Sequence, residues 1–173
     1  MNAAGAPQLS TPIAGLVVRP LAREDAGSYA PLAGRNRAHL GWPGGAETEV
    51  DYRRAWDHDF LERSAAATLR YGIWRADELI GRVDLIPVAP PHYGLSYWLD
   101  KTATGHGYAT AAVGAVLGFA RASLGATDVF AGVAHGNRRS VAVLTRLGFQ
   151  SVLDFETYTR FHLPLADGQP DRP

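Results

Sequence analysis

The chain contains no cysteine. That removes disulfide staples, thiolate metal sites and a thiol nucleophile together, and it fits a cytoplasmic location. Neither sign of charge is in excess, since 17 Lys plus Arg balance 17 Asp plus Glu. A nucleic-acid partner would want a basic field, so none is expected, although a local basic pocket is still allowed. No run approaches the ~18 apolar residues of a membrane span. The N-terminus lacks the basic start and apolar core of a signal peptide. No membrane partner is therefore expected. His58, His92 and His162 are scattered, without a spacing such as H-x-x-x-H, so no metal is expected. No repeat is visible at periods of 20 to 50 residues.

What is present reads as one domain. The 173 residues are 46% hydrophobic and 20% charged, ordinary globular usage with enough chain for a real core. Residues 1–12 read as a flexible N-terminus, 13–164 as a single domain and 165–173 as a frayed tail. Leu16–Pro20 is a first strand. A helix opens at Arg23-Glu-Asp and is expected to run to about Ala33. Asn36 to Gly45 reads as a loop from its Pro and Gly content, and Glu47 to Arg63 has a helical period. Thr68–Arg75 and Leu79–Val88 form a hairpin, and Tyr93–Leu99 a further strand. A helix follows over Tyr108 to Ser123 with Gly125 as its stop; Gly114 and Gly118, one turn apart, would let it lie close on the sheet. Thr127–Ala134 is a buried strand, Arg138–Leu147 a short helix, and Phe149 to Leu163 a final antiparallel pair. The order β, α, α, β, β, β, α, β, α, β, β predicts an α+β fold with a mixed sheet.

One stretch stands out. The apolar Tyr97-Trp-Leu99 enters Asp100-Lys-Thr-Ala-Thr-Gly105-His-Gly107, and the Ala/Val/Leu-rich run from Tyr108 leaves it. The glycines permit a tight turn and close backbone approach. The first N–H groups of the helix then point back at the turn, at the positive end of its dipole. That makes an anion site suited to a phosphate or pyrophosphate. A plain glycine connector would have the same local pattern.

Three stretches together carry a resemblance. Tyr97-Trp-Leu-(x)5-Gly105-His-Gly-Tyr-Ala-Thr110 resembles the acetyl-CoA pyrophosphate loop of the GNAT superfamily of N-acetyltransferases. Asn137-Arg-Arg-Ser-Val-Ala-Val-Leu-Thr-Arg-Leu-Gly-Phe149 resembles a second segment of the same superfamily. Asn36-Arg-x-His-Leu40-x-Trp42-Pro43 resembles the substrate-side loop of one branch, the ribosomal-protein N-terminal-amine acetyltransferases. The match covers roughly Leu16 to Leu163. It implies a GNAT-like, strongly twisted mixed sheet whose two central strands splay apart to admit the pantetheine arm of the cofactor. It also implies acetyl-CoA as co-substrate, no metal, and an amine as acceptor partner. Relatives are often dimers, so a homodimer is one expected state.

The resemblance assigns residues as well. Trp98, Leu99, Thr104, Gly105, His106, Gly107, Tyr108, Ala109 and Thr110 would hold acetyl-CoA, with Asn137 on the pantetheine arm and Arg139 toward the 3′-phosphate. The main chain around Tyr97 to Leu99 would polarise the thioester carbonyl. Ser140 is placed to return a proton to the sulfur, and Tyr97 is a second candidate acid. As plain structure, Ser140 would be a helix-start residue, Asn137 an N-cap and Tyr97 a buried strand tyrosine. Glu156 on the final hairpin is the candidate base, with Asp84 and His135 as other ends of a water chain. His39 and Trp42 would line the acceptor pocket, or Trp42 would simply plug the core. Two positions depart from the family pattern. Thr102 stands where Gln or Arg is usual, so the loop must work through its backbone. Gly94 stands where many relatives keep a carboxylate.

The amine chemistry narrows the acceptor. An N-terminal amine titrates near ~7.7–8.0 and a lysine near ~10.4. At pH 7 roughly a tenth of the former is neutral, against a few parts in ten thousand of the latter. A site without an obvious base therefore suits an α-amine. The reading is direct N-acetylation of a primary amine, such as a protein N-terminus. The alternatives are a small-molecule amine acetyltransferase and a CoA-binding module without turnover.

Overall fold

The computed structural model describes residues 6–41 and 68–165. The helix expected over Glu47 to Arg63, and Trp42 with it, lies outside them. Eight strands form one sheet in the order β1-β2-β3-β4-β5-β6-β8-β7. They are β1 (Leu9–Ser10), β2 (Leu16–Pro20), β3 (Leu69–Arg75), β4 (Glu78–Ala89), β5 (His92–Leu99), β6 (Asp128–Ala134), β7 (Gln150–Asp154) and β8 (Tyr158–Pro164). Every neighbouring pair is antiparallel except β5 and β6, which run parallel. The mixed α+β sheet agrees with the sequence reading. Leu9 and Ser10 pair with Val18 and Val17, so regular structure reaches into the segment read as a flexible start.

Among the described residues three helices flank the sheet: α1 (Ala26–Leu40), α2 (Tyr108–Leu124) and α3 (Arg138–Arg146). Helix α2 buries Ala112, Val113, Val116, Leu117, Phe119 and Ala120, the stripe that a 3.6-residue period produces. That stripe packs with Val83, Leu85 and Leu95 into the larger core cluster, which Leu144 of α3 joins. Strand alternation sends the neighbouring residues to the other face. There Trp98 and Trp74 meet Tyr29, Leu32 and Ala33 of α1 in a second cluster.

Two expectations are corrected. Helix α1 does not stop near Ala33; it runs through Asn36 and His39 and ends at Gly41, whose φ of 65° is left-handed. The Pro and Gly residues that gave the stretch its loop composition start at Gly41, so only the C-terminal half of the window was breaker-rich. Gly114 and Gly118 do not bring α2 close to the sheet. A Cβ on Gly118 would meet open space, and one on Gly114 would touch Leu147 at 3.5 Å. Gly81 on β4 and Gly72 on β3 are the sheet glycines that lack room for a side chain: a Cβ on Gly81 would collide with the Trp98 carbonyl oxygen, and one on Gly72 with the Trp74 ring.

Candidate active site

The site begins where the sheet stops being a sheet. The β5–β6 register runs from His92↔Asp128 to Leu95↔Ala131, yet β5 continues to Leu99 and β6 to Ala134. Beyond Leu95 the two strands diverge. On its other side β5 stays paired with β4 to Leu99↔Gly81, and the Asp100 amide donates to the Ile80 carbonyl at 2.7 Å. Amides along an antiparallel strand alternate between its two edges. Trp98 therefore shares the Asp100 side, toward β4, while Tyr97 and Leu99 turn their N–H and C=O groups into the gap.

The chain then reaches the glycine turn. Gly105 has φ 87° and Gly107 φ 77°, both in the left-handed region that a side chain disfavours. A Cβ on either would meet nothing within 4 Å, so it is backbone conformation and not crowding that calls for glycine here. Gly107 caps α2 without a side-chain bond, and the first main-chain bond at this end runs from the Ala111 amide to the Gly107 carbonyl at 3.0 Å. The amides of Tyr108, Ala109 and Thr110 thus lack partners within the helix and face the turn. A groove of about 640 Å³ opens there, lined by Gly105, Gly107, Thr110, Gly114, Arg146 and Leu147. Open left-handed glycines and free helix amides fit a pyrophosphate. His106 is exposed and stacks on Tyr108 with ring centroids 5.3 Å apart.

Helix α3 brings the third part. Asn137 caps it, its side-chain oxygen accepting from the Ser140 amide at 3.2 Å. The Tyr97 hydroxyl donates to the Ser140 carbonyl, also at 3.2 Å. Burial raises the Tyr97 phenol above its ordinary value, with the bond to Ser140 acting against this. Arg139 Nη1 reaches Thr104 Oγ1 at 3.5 Å, and Thr104 Oγ1 donates to the Lys101 carbonyl at 2.9 Å. A second groove, of about 660 Å³, follows α3 from Gly136 and Asn137 to Arg146. The fold therefore gathers Tyr97, Ser140, Asn137, Arg139, Thr104 and the glycine turn at one mouth.

Other expected residues lie elsewhere. Trp98 is corrected: its side chain is buried against α1, edge-on to Tyr29 at 5.9 Å, and its main chain faces β4. His39 occupies the last, exposed turn of α1 rather than a loop. Glu156 is exposed in the β7–β8 turn, where the neighbouring Thr157 carbonyl accepts from the His135 amide at 3.1 Å. That sets Glu156 at the diverging end of β6. Asp84 is buried and paired with Arg82 at 2.7 Å, on the face opposite Val83.

Sequence reasoning missed the root of the loop. Asp100 is buried, and its Oδ1 accepts from the Thr102 amide at 3.0 Å and hydroxyl at 3.1 Å. Burial would raise the Asp100 carboxyl, but the Thr102 amide and Arg35 bring it below its ordinary value. The local signal was legible: an Asp two residues before a Thr is a turn former. The α1 partners, 65 residues away in sequence, left no local trace.

Comparisons with known proteins agree with this geometry. The model of the acetyltransferase (GNAT) domain family matches residues 15–150. A RimL ribosomal L7/L12 alpha-N-protein acetyltransferase in complex with coenzyme A is 18% identical, with a TM-score of 0.79 over 91% of this chain and 98% of that one. A ribosomal-protein-S5-alanine acetyltransferase from Vibrio fischeri is 19% identical, with a TM-score of 0.78 over 95% and 100%. The microcin C7 self-immunity acetyltransferase MccE, in complex with acetyl-CoA and AMP, is 16% identical, with a TM-score of 0.73 over 88% and 93%. Among curated proteins no sequence match is significant. The divided central strands, the glycine turn and the family match over most of the domain lead to one conclusion: the chain belongs to the GNAT acetyltransferase domain family and is an acyltransferase that uses acetyl-CoA.

Proposed function

We propose that this enzyme acetylates a protein N-terminal α-amine directly from acetyl-CoA. The observation that carries this is the end of β5–β6 pairing at Leu95↔Ala131, because it leaves main-chain donors of Tyr97 and Leu99 facing a gap beside the glycine turn. Acetyl-CoA supplies the thioester carbonyl that the amine attacks. In this reading the amides from Gly105 to Thr110 hold the pyrophosphate, while Thr104, His106 and Arg139 border it. Asn137 uses its side-chain oxygen as the N-cap, which leaves its amide nitrogen to bond the pantetheine arm. The Tyr97 or Leu99 amide stabilises developing negative charge on the carbonyl oxygen.

Ser140 donates the proton that the leaving thiolate needs, and Tyr97 fixes the first turn of α3 through the Ser140 carbonyl. Glu156, at the diverging end of β6, accepts the proton of the attacking amine through water. His39, on the last turn of α1, belongs to the acceptor side. An α-amine suits this arrangement because it is already partly neutral at pH 7. MccE, by its own description a microcin C7 self-immunity enzyme, shares the fold at a TM-score of 0.73; this similarity favours a small-molecule amine as second reading.

The test is a thiol-release assay with acetyl-CoA and a peptide panel at pH 7. Peptides with free α-amines are expected to turn over at least about tenfold faster than α-blocked lysine peptides. Faster turnover of a small amine would move the assignment to the second reading. CoA binding with no thiol release from any acceptor would leave a binding module.

A further inference from the structure

The root of the glycine turn is held from the opposite face of the sheet. Arg35 Nε donates to Asp100 Oδ2 at 2.8 Å, and Arg35 Nη2 bonds the same oxygen. The next residue of α1 holds the next residue of the loop: Asn36 Oδ1 accepts from the Lys101 amide at 2.8 Å. Asn36 Nδ2 is itself engaged, donating to the Leu32 carbonyl at 2.9 Å. Asn36 is 1% exposed and Asp100 2%, so water cannot replace these partners. Consecutive residues on one helix thus clasp consecutive residues at the end of β5.

The clasped position matters because of what lies on either side of it. Leu99, with an amide in the gap, immediately precedes Asp100. Thr102, Ala103 and Thr104 then lead to Gly105, and each step is tied back: the Thr102 and Ala103 amides bond Asp100 at 3.0 and 2.9 Å, and the Thr104 hydroxyl bonds the Lys101 carbonyl. A Cβ on Gly105 or Gly107 would meet nothing within 4 Å, so the bonds at the root of the loop bear directly on where the turn sits.

We infer that Arg35 and Asn36 are positioning residues for the donor site, setting the glycine turn from α1 through Asp100 and Lys101. This rests on acetyl-CoA occupying that turn. Neither side chain touches the groove; both act through the backbone they hold. Misplacing a binding loop by a fraction of an ångström is enough to weaken its contacts severalfold.

Calorimetric titration with coenzyme A tests this, alongside thermal melting of the same samples. Asn36→Ala is expected to weaken binding by about tenfold, Arg35→Ala by about fivefold, and Arg35→Lys by less than Arg35→Ala because it keeps the charge without the fork. Arg35 is half-exposed, so its variants keep the test usable if Asn36→Ala does not fold. The control is Leu32→Ala. Leu32 is buried in the same helix at 1% exposure and makes no side-chain bond to the loop, so its loss should lower the melting temperature and leave coenzyme A affinity unchanged. Equal weakening by Leu32→Ala, or unchanged affinity in Arg35→Ala, would overturn the inference. Absence of binding by the unmodified protein would instead overturn the reading of the glycine turn beneath it.

Discussion

The two ends of the β5–β6 pair make opposite use of the same strands. At the closed end the ladder runs from His92↔Asp128 to Leu95↔Ala131, and its polar groups satisfy one another. Asp128 accepts from the Thr127 hydroxyl at 2.7 Å, lies 2.7 Å from His162 Nε2 and 3.4 Å from His92 Nε2. His162 also stacks on Phe130 at 4.6 Å. The Thr127 amide bonds the Pro91 carbonyl, and its carbonyl takes the Leu165 amide. Among the described residues, the Tyr97 and Leu99 amides and the first amides of α2 have no such partners at the open end. The closed end secures the strands; the open end leaves the donors that the proposed acetyl-CoA site would use.

The largest effect that would sharpen this contrast is on the acid. Ser140→Ala should lower kcat by about 10²-fold or more, within the range of general acid catalysis, while the KM for acetyl-CoA changes little. Steady-state kinetics at saturating peptide would show it. A kcat near that of the unmodified enzyme would remove Ser140 from the chemistry and leave it as a residue of a helix start.

A smaller effect concerns the loop. Gly107→Val forces a β-branched residue to φ 77°, where strain is on the order of 1–3 kcal/mol, and should weaken acetyl-CoA binding by about tenfold or more. Lys101→Ala removes an exposed charge near the same loop, worth about 0.3–1 kcal/mol, and should cost less than about fivefold. Equal losses would mean that side-chain charge, and not backbone, holds the anion.

Local features of this site were legible in the sequence and distant ones were not. The strand, glycine turn and helix over Tyr97 to Thr110 are written in neighbouring residues, and the structure agrees with them. The N-cap reading of Asn137 is of the same kind. Trp98 was misassigned for a physical reason: it shares a motif with Tyr97 and Leu99, but strand alternation points it the other way. Helix α1 was cut short because breaker residues clustered after Gly41 outweighed Asn36 to Leu40. Asn36 stays helical with its side chain bonded to the Leu32 carbonyl and the Lys101 amide, and the second of these bonds exists only once the sheet has formed. The clasp between Arg35 and Asp100 is likewise a product of topology.

The smallest predicted effect tests the closed end alone. Asp128 titrates below the ordinary carboxylate range, first because Thr127 donates to it and then because His162 does. A carboxyl with a depressed folded-state pKa adds stability above its unfolded value of about 3.9, and this is lost as pH falls through the folded value. Asp128→Asn removes that contribution. With a quarter of the side chain exposed, the loss should be about 1 kcal/mol, or roughly 2–4 °C in melting temperature for a chain of this size. The difference between the two proteins should hold at pH 7 and shrink below about pH 4. Coenzyme A affinity should be unchanged, because the groups that face the ligand lie beyond Leu95, past the end of the ladder. A variant that melts earlier and also binds coenzyme A less tightly would show that the two ends are mechanically joined, and the division between a securing end and a binding end would fail.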